Sequence, residues 1–138
     1  MSNDLISAAA FIRRRVPCLK KLNGGRSTRE SLLMSLSWHS ALKSLCIVKC
    51  GEKIEAVGFA RAIQDPIDAR FAFKTDERGS LLYVENIASR STEGMKNLLR
   101  YVMFRWPQCD RIMFRRAKSG HKNKTYPMKE FLQKAKVI

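Results

Sequence analysis

The chain has no apolar run approaching the roughly 20 residues that cross a bilayer as a helix, which argues against a membrane span. It has no secretory pattern either. The apolar "SAAAFI" is followed by "RRR", whereas a signal peptide carries its bases ahead of the apolar segment. The segment reads as a helix of the mature protein, and the cytoplasm is the expected compartment. Cysteine is sparse. Cys18, Cys46, Cys50 and Cys109 are scattered without the close CxxC pairs of a zinc ribbon, so plain buried thiols are expected. Histidine is rarer still. His39 sits among Ser and Trp on a helix and reads as a hydrogen-bonded structural residue. His121 lies in a basic loop with no Cys or carboxylate at ligand spacing, so neither points to a metal. A Gly-x-Ser-x-Gly elbow, a Walker loop and a dinucleotide fingerprint are all missing. So are repeats and low-complexity tracts.

Acidic residues are scarce as well: 12 against 27 Lys and Arg leave a net charge of +15. The bases gather toward the two ends, from Arg13 to Arg29 and from Arg111 to Lys136, while residues 51–95 are slightly acidic. Such a surface attracts polyanions (nucleic acid, anionic lipid or a phosphate-rich cofactor), or it serves solubility alone. The apolar fraction of 45% is enough for an ordinary core, and one domain spanning residues 1–138 is expected.

Hydrophobic spacing predicts the elements. Leu5, Ala8, Ala9 and Ile12 recur at helical intervals over residues 5–15, and Pro17 stops that helix. Ser27 and Glu30 form a capping-box pattern that opens a second helix to residue 42, with Trp38 in the core. Strands follow at 45–49 and 54–63 around a "GEK" turn, with Gly58 marking a bulge or a close backbone approach. Residues 69–78 read as a strand extension or a loop. Residues 81–88 form an almost wholly apolar strand interrupted by Glu85 and Asn86. Met95, Leu98, Leu99, Val102, Met103 and Trp106 give the clearest amphipathic helix, capped by Ser91 or Thr92 and ended by Pro107. A strand at 111–115, a basic loop and a helix over 126–136 complete an α-α-β-β-β-α-β-α order. This predicts an α/β (α+β) fold, a mixed sheet with helices on both faces.

That order, from residue 27 to 132, resembles the core of the GNAT acyltransferases. Two short motifs carry the resemblance further. In the family, an Arg/Gln-x-x-Gly-x-Gly/Ala stretch presents backbone N–H groups to the pyrophosphate of coenzyme A at a helix N-terminus. Here "ASRSTEGMKNLL" matches with Gly94 as the middle glycine. Ser91 stands where Arg or Gln is usual, and Lys96 where Gly or Ala is usual. The resemblance thus assigns Ile87, Ala88, Ser89, Arg90, Ser91, Thr92, Glu93, Gly94, Met95 and Lys96 to the cofactor, with Asn123. Without a ligand, the same loop reads as a capped helix start. The second motif, "NKTYPMKEFL", is similar to the segment where these enzymes carry an Asn and then a Tyr that protonates the leaving thiolate, a role that falls here to Tyr126. The alternative is a Tyr packed in the core with its hydroxyl at the surface.

Glu85 stands where the family often places the carboxylate that accepts the amine proton. Its alternatives are an ion pair with Arg61 on the adjacent strand or exposure at a sheet end. The resemblance implies an N-acyltransferase using acetyl-CoA or another acyl-CoA thioester, with an amine acceptor. A different class stays open: a non-catalytic nucleic-acid-binding protein on the same scaffold, using the basic ends. A homodimer or partner chain that completes the sheet is a further expectation.

Overall fold

The apolar stretches between residues 45 and 89 fold as the antiparallel meander that their pattern predicts. The computed structural model describes residues 3–15, 27–115 and 122–138. Cys18, His121 and the bases Lys20, Lys21, Arg26, Arg116 and Lys118 lie outside the described residues. Strands β1 (Leu45–Cys50), β2 (Lys53–Ile63) and β3 (Leu81–Ser89) pair in sequence order. Helix α3 (Thr92–Arg105) then carries the chain across to β4 (Arg111–Arg115), which lies parallel to β3. Among the described residues the sheet has five strands in the order β1-β2-β3-β4-β5. It is mixed, as expected.

The last strand corrects the expected order. Residues Asn123–Pro127 form β5, antiparallel to β4, and the final helix α4 spans Met128–Lys134. Tyr126 is therefore a strand residue opposite Ile112 and does not lie on a helix. The reason is local: the residue before a proline is disfavoured in α-space, so Pro127 holds Tyr126 extended. Pro127 itself, at φ −58 and ψ 130, is the point where the strand turns into the helix. The segment before β3 is also settled. Pro66–Arg70 is a 3₁₀ turn capped by the Asp65 side chain, and the residues after it are irregular rather than a strand.

Helices α1 (Asn3–Arg15) and α2 (Ser27–Ala41) cover one face of the sheet, where Ala8, Phe11, Ile12, Leu32 and Leu36 meet Val57, Phe59 and Ala88. Helices α3 and α4 cover the other, where Leu99, Trp106, Met128 and Leu132 meet Ala60, Ala62, Leu82 and Ile112. Trp38 is half-buried and packs on His39 and Phe73. All three described cysteines are free thiols. Cys109 is buried, which pushes its thiol up to about 11, but Cys50 is exposed, against expectation. Among the described residues no helix is long and apolar enough to cross a membrane.

Two irregularities position everything that follows. Strand β3 pairs with β4 only from Leu81 to Val84, yet it continues to Ser89, so the two strands part company at Glu85. On the other side the register shifts: Ala60 opposes Val84 and Phe59 opposes Asn86. Glu85 is thus the extra residue of a β-bulge, a device that re-aims a side chain and ends local pairing.

Leu82 is wholly buried between these layers, whereas Phe104 is 82% exposed at the outer side of α3. Leu82→Ala should therefore cost about 2–5 kcal/mol in urea unfolding, and Phe104→Ser no more than about 0.5 kcal/mol.

Candidate functional site

The start of α3 is tied down by its own side chains. Ser91 caps the helix, its Oγ accepting from the Gly94 amide at 2.9 Å. Ser89 Oγ donates to the Ser91 carbonyl at 2.6 Å, and the Arg90 amide donates to Glu55 O at 2.9 Å. Gly94 has a packing reason here. A Cβ at that position would lie 3.0 Å from both Ser89 Oγ and Ser91 Oγ and 3.1 Å from Glu55 O. The first turn of any helix leaves amides without intrahelical acceptors, and the helix dipole favours an anion beside them. With the Gly94 amide taken by Ser91, those of Thr92 and Glu93 remain for an external acceptor.

The charges around this loop are sorted. Glu93 pairs with Arg100 at 3.3 Å and Arg90 with Glu55 at 3.7 Å, so the loop's own acid is offset and Arg90 is partly committed. The groove beside the loop is lined by Ser89, Arg90, Ser91, Thr92, Met95 and Lys96, and opposite them by Lys134, Ala135 and Lys136. Lys136 is held by the end of α4. The Val137 amide donates to Leu132 O and the Lys136 amide to Gln133 O, both at 3.0 Å, the bond pair of a Schellman cap. That cap places its residue in left-handed space, and Lys136 sits there at φ 59, where glycine is usual. Sequence reasoning read Lys134 and Lys136 only as part of a basic tail, because nothing local signals that α4 ends against the start of α3.

Behind the groove lies a cavity of about 280 Å³ between the sheet and α3. Its wall includes Gly58 and Ala60 from β2, Val84, Asn86 and Ile87 from β3, and Leu98, Leu99 and Val102 from α3. Met95 borders both the cavity and the groove. Of the remaining expected cofactor residues, Ala88 is buried with the α1–α2 side chains. Asn123 is exposed at the start of β5, opposite Arg115. The structure does not bring Asn123 to the groove.

Glu85 makes the Arg61 ion pair that the sequence raised as an alternative to proton transfer. Its Oε1 accepts from Arg61 Nε, and its Oε2 lies 3.1 Å from His39 Nε2. A carboxylate only accepts, so Nε2 carries a hydrogen. His39 is fully buried, and its Nδ1 lies 2.7 Å from Ser44 Oγ, which makes it the satisfied structural histidine expected. Arg61 is 2% exposed and gives three of its other four donors to the carbonyls of Asp68, Ala69 and Lys74. Burial pushes the Glu85 carboxyl up, but hydrogen bonds and charge from His39 and Arg61 outweigh it and hold it below the usual range. Tyr126 stacks on Phe114 at 5.4 Å between ring centroids and packs among the α3–α4 side chains. Glu85, by contrast, is engaged with His39, whose ring lies on Phe59 of the α1–α2 side. The two expected catalytic residues thus belong to different side-chain clusters.

The Glu85 network has a pH signature. A carboxyl depressed in the folded state adds stability above its unfolded pKa and loses it as pH falls through the folded value. Acid should therefore destabilise the wild type below about pH 4, the ordinary carboxylate range, through this group. Glu85→Gln should be less stable by about 3 kcal/mol at pH 7, since a buried guanidinium loses its counter-charge, and that difference should shrink toward pH 3 in urea midpoints.

No family model and no curated protein sequence matches the chain. Solved structures do. One is the GphF GNAT-like decarboxylase in complex with isobutyryl-CoA, with TM-score 0.59, 18% identity, and coverage of 80% of this chain and 60% of that one. Another is PH1933 from Pyrococcus horikoshii OT3, with TM-score 0.55, 11% identity, and coverage of 83% and 71%. The chain spans about 60% of the length of the GphF protein it matches. At these identities the likeness speaks to the backbone, and the architecture expected from the sequence is the one found: this chain has a GNAT-like fold.

Proposed function

We propose that the chain binds an acyl-CoA thioester and transfers its acyl group to an amine. One observation carries the reading. A groove with unpaired helix-start amides and the exposed charges of Lys134 and Lys136 opens, across Met95, onto an apolar cavity where β3 leaves β4. Anions bind at helix starts of this kind. A pyrophosphate there would take the Thr92 and Glu93 amides, with Lys96, Lys134 and Lys136 screening its charge. The pantetheine arm would then follow β3 beyond Val84, where the strand's outer edge is no longer used by β4, and reach the level of the Glu85 bulge.

Attack of an amine on the thioester carbonyl forms a C–N bond and places positive charge on nitrogen before the C–S bond breaks. Glu85, offset by Arg61 and His39, is assigned a positioning role: it fixes the β3 bulge at the level where the thioester would lie. Tyr126 is assigned the proton that the departing thiolate takes, and the proton shed by the nitrogen passes to water, from which the phenol is restored. Its side chain stacks behind Phe114, which lines the cavity.

Calorimetric titration with acetyl-CoA should show micromolar binding that weakens with salt, because Lys134 and Lys136 are exposed. Lys96→Glu should weaken it at least tenfold. Lys136→Gly should separate stability from function: relief of the left-handed strain should stabilise the fold by about 1 kcal/mol while the lost charge weakens binding. Tyr126→Phe should lower kcat by about a hundredfold with KM little changed. Absence of heat at millimolar coenzyme, together with salt-steep binding of RNA or DNA, would overturn the enzyme reading in favour of a nucleic-acid-binding scaffold.

A further inference from the structure

We infer that the acyl group this chain takes is an aliphatic chain several carbons longer than acetyl. The inference rests on the acyl-CoA reading and specifies the thioester.

Size is the first argument. The cavity between the sheet and α3 measures about 280 Å³. Interiors are close-packed, and unfilled space costs stability in proportion to its volume. A methylene occupies about as much space as a water molecule, roughly 30 Å³ in the liquid. The cavity therefore holds on the order of eight or nine carbons, shared between the end of the pantetheine arm beside Asn86 and Ile87 and the acyl chain, which is more than an acetyl group fills.

Chemistry is the second. Among the described residues, only Ser44 and Asn86 bring purely polar side chains to the wall. Ser44 is already committed to His39, through Nδ1 at 2.7 Å and the carbonyl at 3.2 Å. The Tyr101 hydroxyl is spent on the Lys43 carbonyl. Glu85 and Arg61 satisfy each other outside this wall. A dicarboxylic or hydroxylated acyl group would thus lose its hydration with little to replace it. An apolar wall of this kind favours hydrocarbon over polar groups.

The third argument is what keeps the space open. Gly58 lies mid-strand, opposite Cys46 on β1 and Ile87 on β3. A Cβ there would lie 3.5 Å from Leu98 Cδ1 and Cδ2 and 3.7 Å from Asn86 O, all ordinary contacts. Its backbone is not in the left-handed region, so nothing local demands glycine, and glycine weakens a strand interior. Larger side chains at this position would grow into the gap between β2 and α3. Gly58 is the residue that sets the chain length.

The test is a titration series of coenzyme A, acetyl-CoA, hexanoyl-CoA, octanoyl-CoA and succinyl-CoA against the wild type and Gly58→Val. In the wild type, affinity should rise roughly fourfold per methylene until the cavity is full, on the order of a hundredfold from acetyl to hexanoyl. Succinyl-CoA should bind no better than acetyl-CoA. Gly58→Val should lose at least tenfold more affinity for octanoyl-CoA than for acetyl-CoA. If circular dichroism shows that Gly58→Val does not fold, Ala60→Leu fills the same space from the next cavity-facing position. Micromolar coenzyme A binding with a flat chain-length series, or a preference for succinyl-CoA, would overturn this inference and leave the acyl-CoA reading standing. Failure of every thioester and of coenzyme A itself would remove both.

Discussion

Arg61 is buried and charged, so its donors must be met inside the protein, and much of the architecture follows from how they are met. Four of its five N–H donors are spent on Glu85 and on the carbonyls of Asp68, Ala69 and Lys74. The carbonyls fold the 66–74 segment back over the sheet. Glu85 is drawn onto the same side and there meets His39 from α2. A single guanidinium thus links β2, β3, the irregular connection between them and the helix layer. Removing one partner of such a group costs more than the pair contributes, which makes the network hard to change piecemeal.

The bulge at Glu85 has a consequence on the opposite face. Because the extra residue turns its carboxylate toward Arg61 and His39, no charge is delivered to the α3 side at the level where β3 and β4 separate. That side is left to Gly58, Ala60, Val84 and the α3 residues, and it becomes the apolar cavity. One irregularity therefore produces a buried polar network on one face and unfilled hydrophobic space on the other. The groove is assembled in a similar way, from two helix ends. The start of α3 supplies amides, and the left-handed close of α4 supplies Lys136. The loop's acid, Glu93, is turned to Arg100, so the groove's potential is set by lysines.

Much of this was legible in the sequence, because the signals were local. The meander, the stripe on α3, the Ser91 cap and the stop at Pro107 all rest on period and capping chemistry within a few residues. The Arg61–Glu85 pair was legible as an alternative, because a lone acid in an apolar strand needs a partner. Other features depend on contacts that the chain makes only when folded. Lys134 and Lys136 reach the groove through the packing of α4, and the cavity through the fit of α3 over two small residues of β2. The strand before α4 is a different case. Its cue, Tyr126 followed by Pro127, was present in the sequence, but helical spacing of Met128, Phe131 and Leu132 extended the predicted helix backward over it.

The central claim is that the two helix ends form one anion site serving an acyl-CoA. Backbone amide chemical shifts during titration with coenzyme A, which lacks any acyl group, test it most directly. The account predicts saturable shifts concentrated at residues 91–96 and 134–137, with smaller ones along β3 from Glu85 to Ser89. Shifts confined to α1 and the bases near residue 122, or no saturation at millimolar coenzyme, would contradict it.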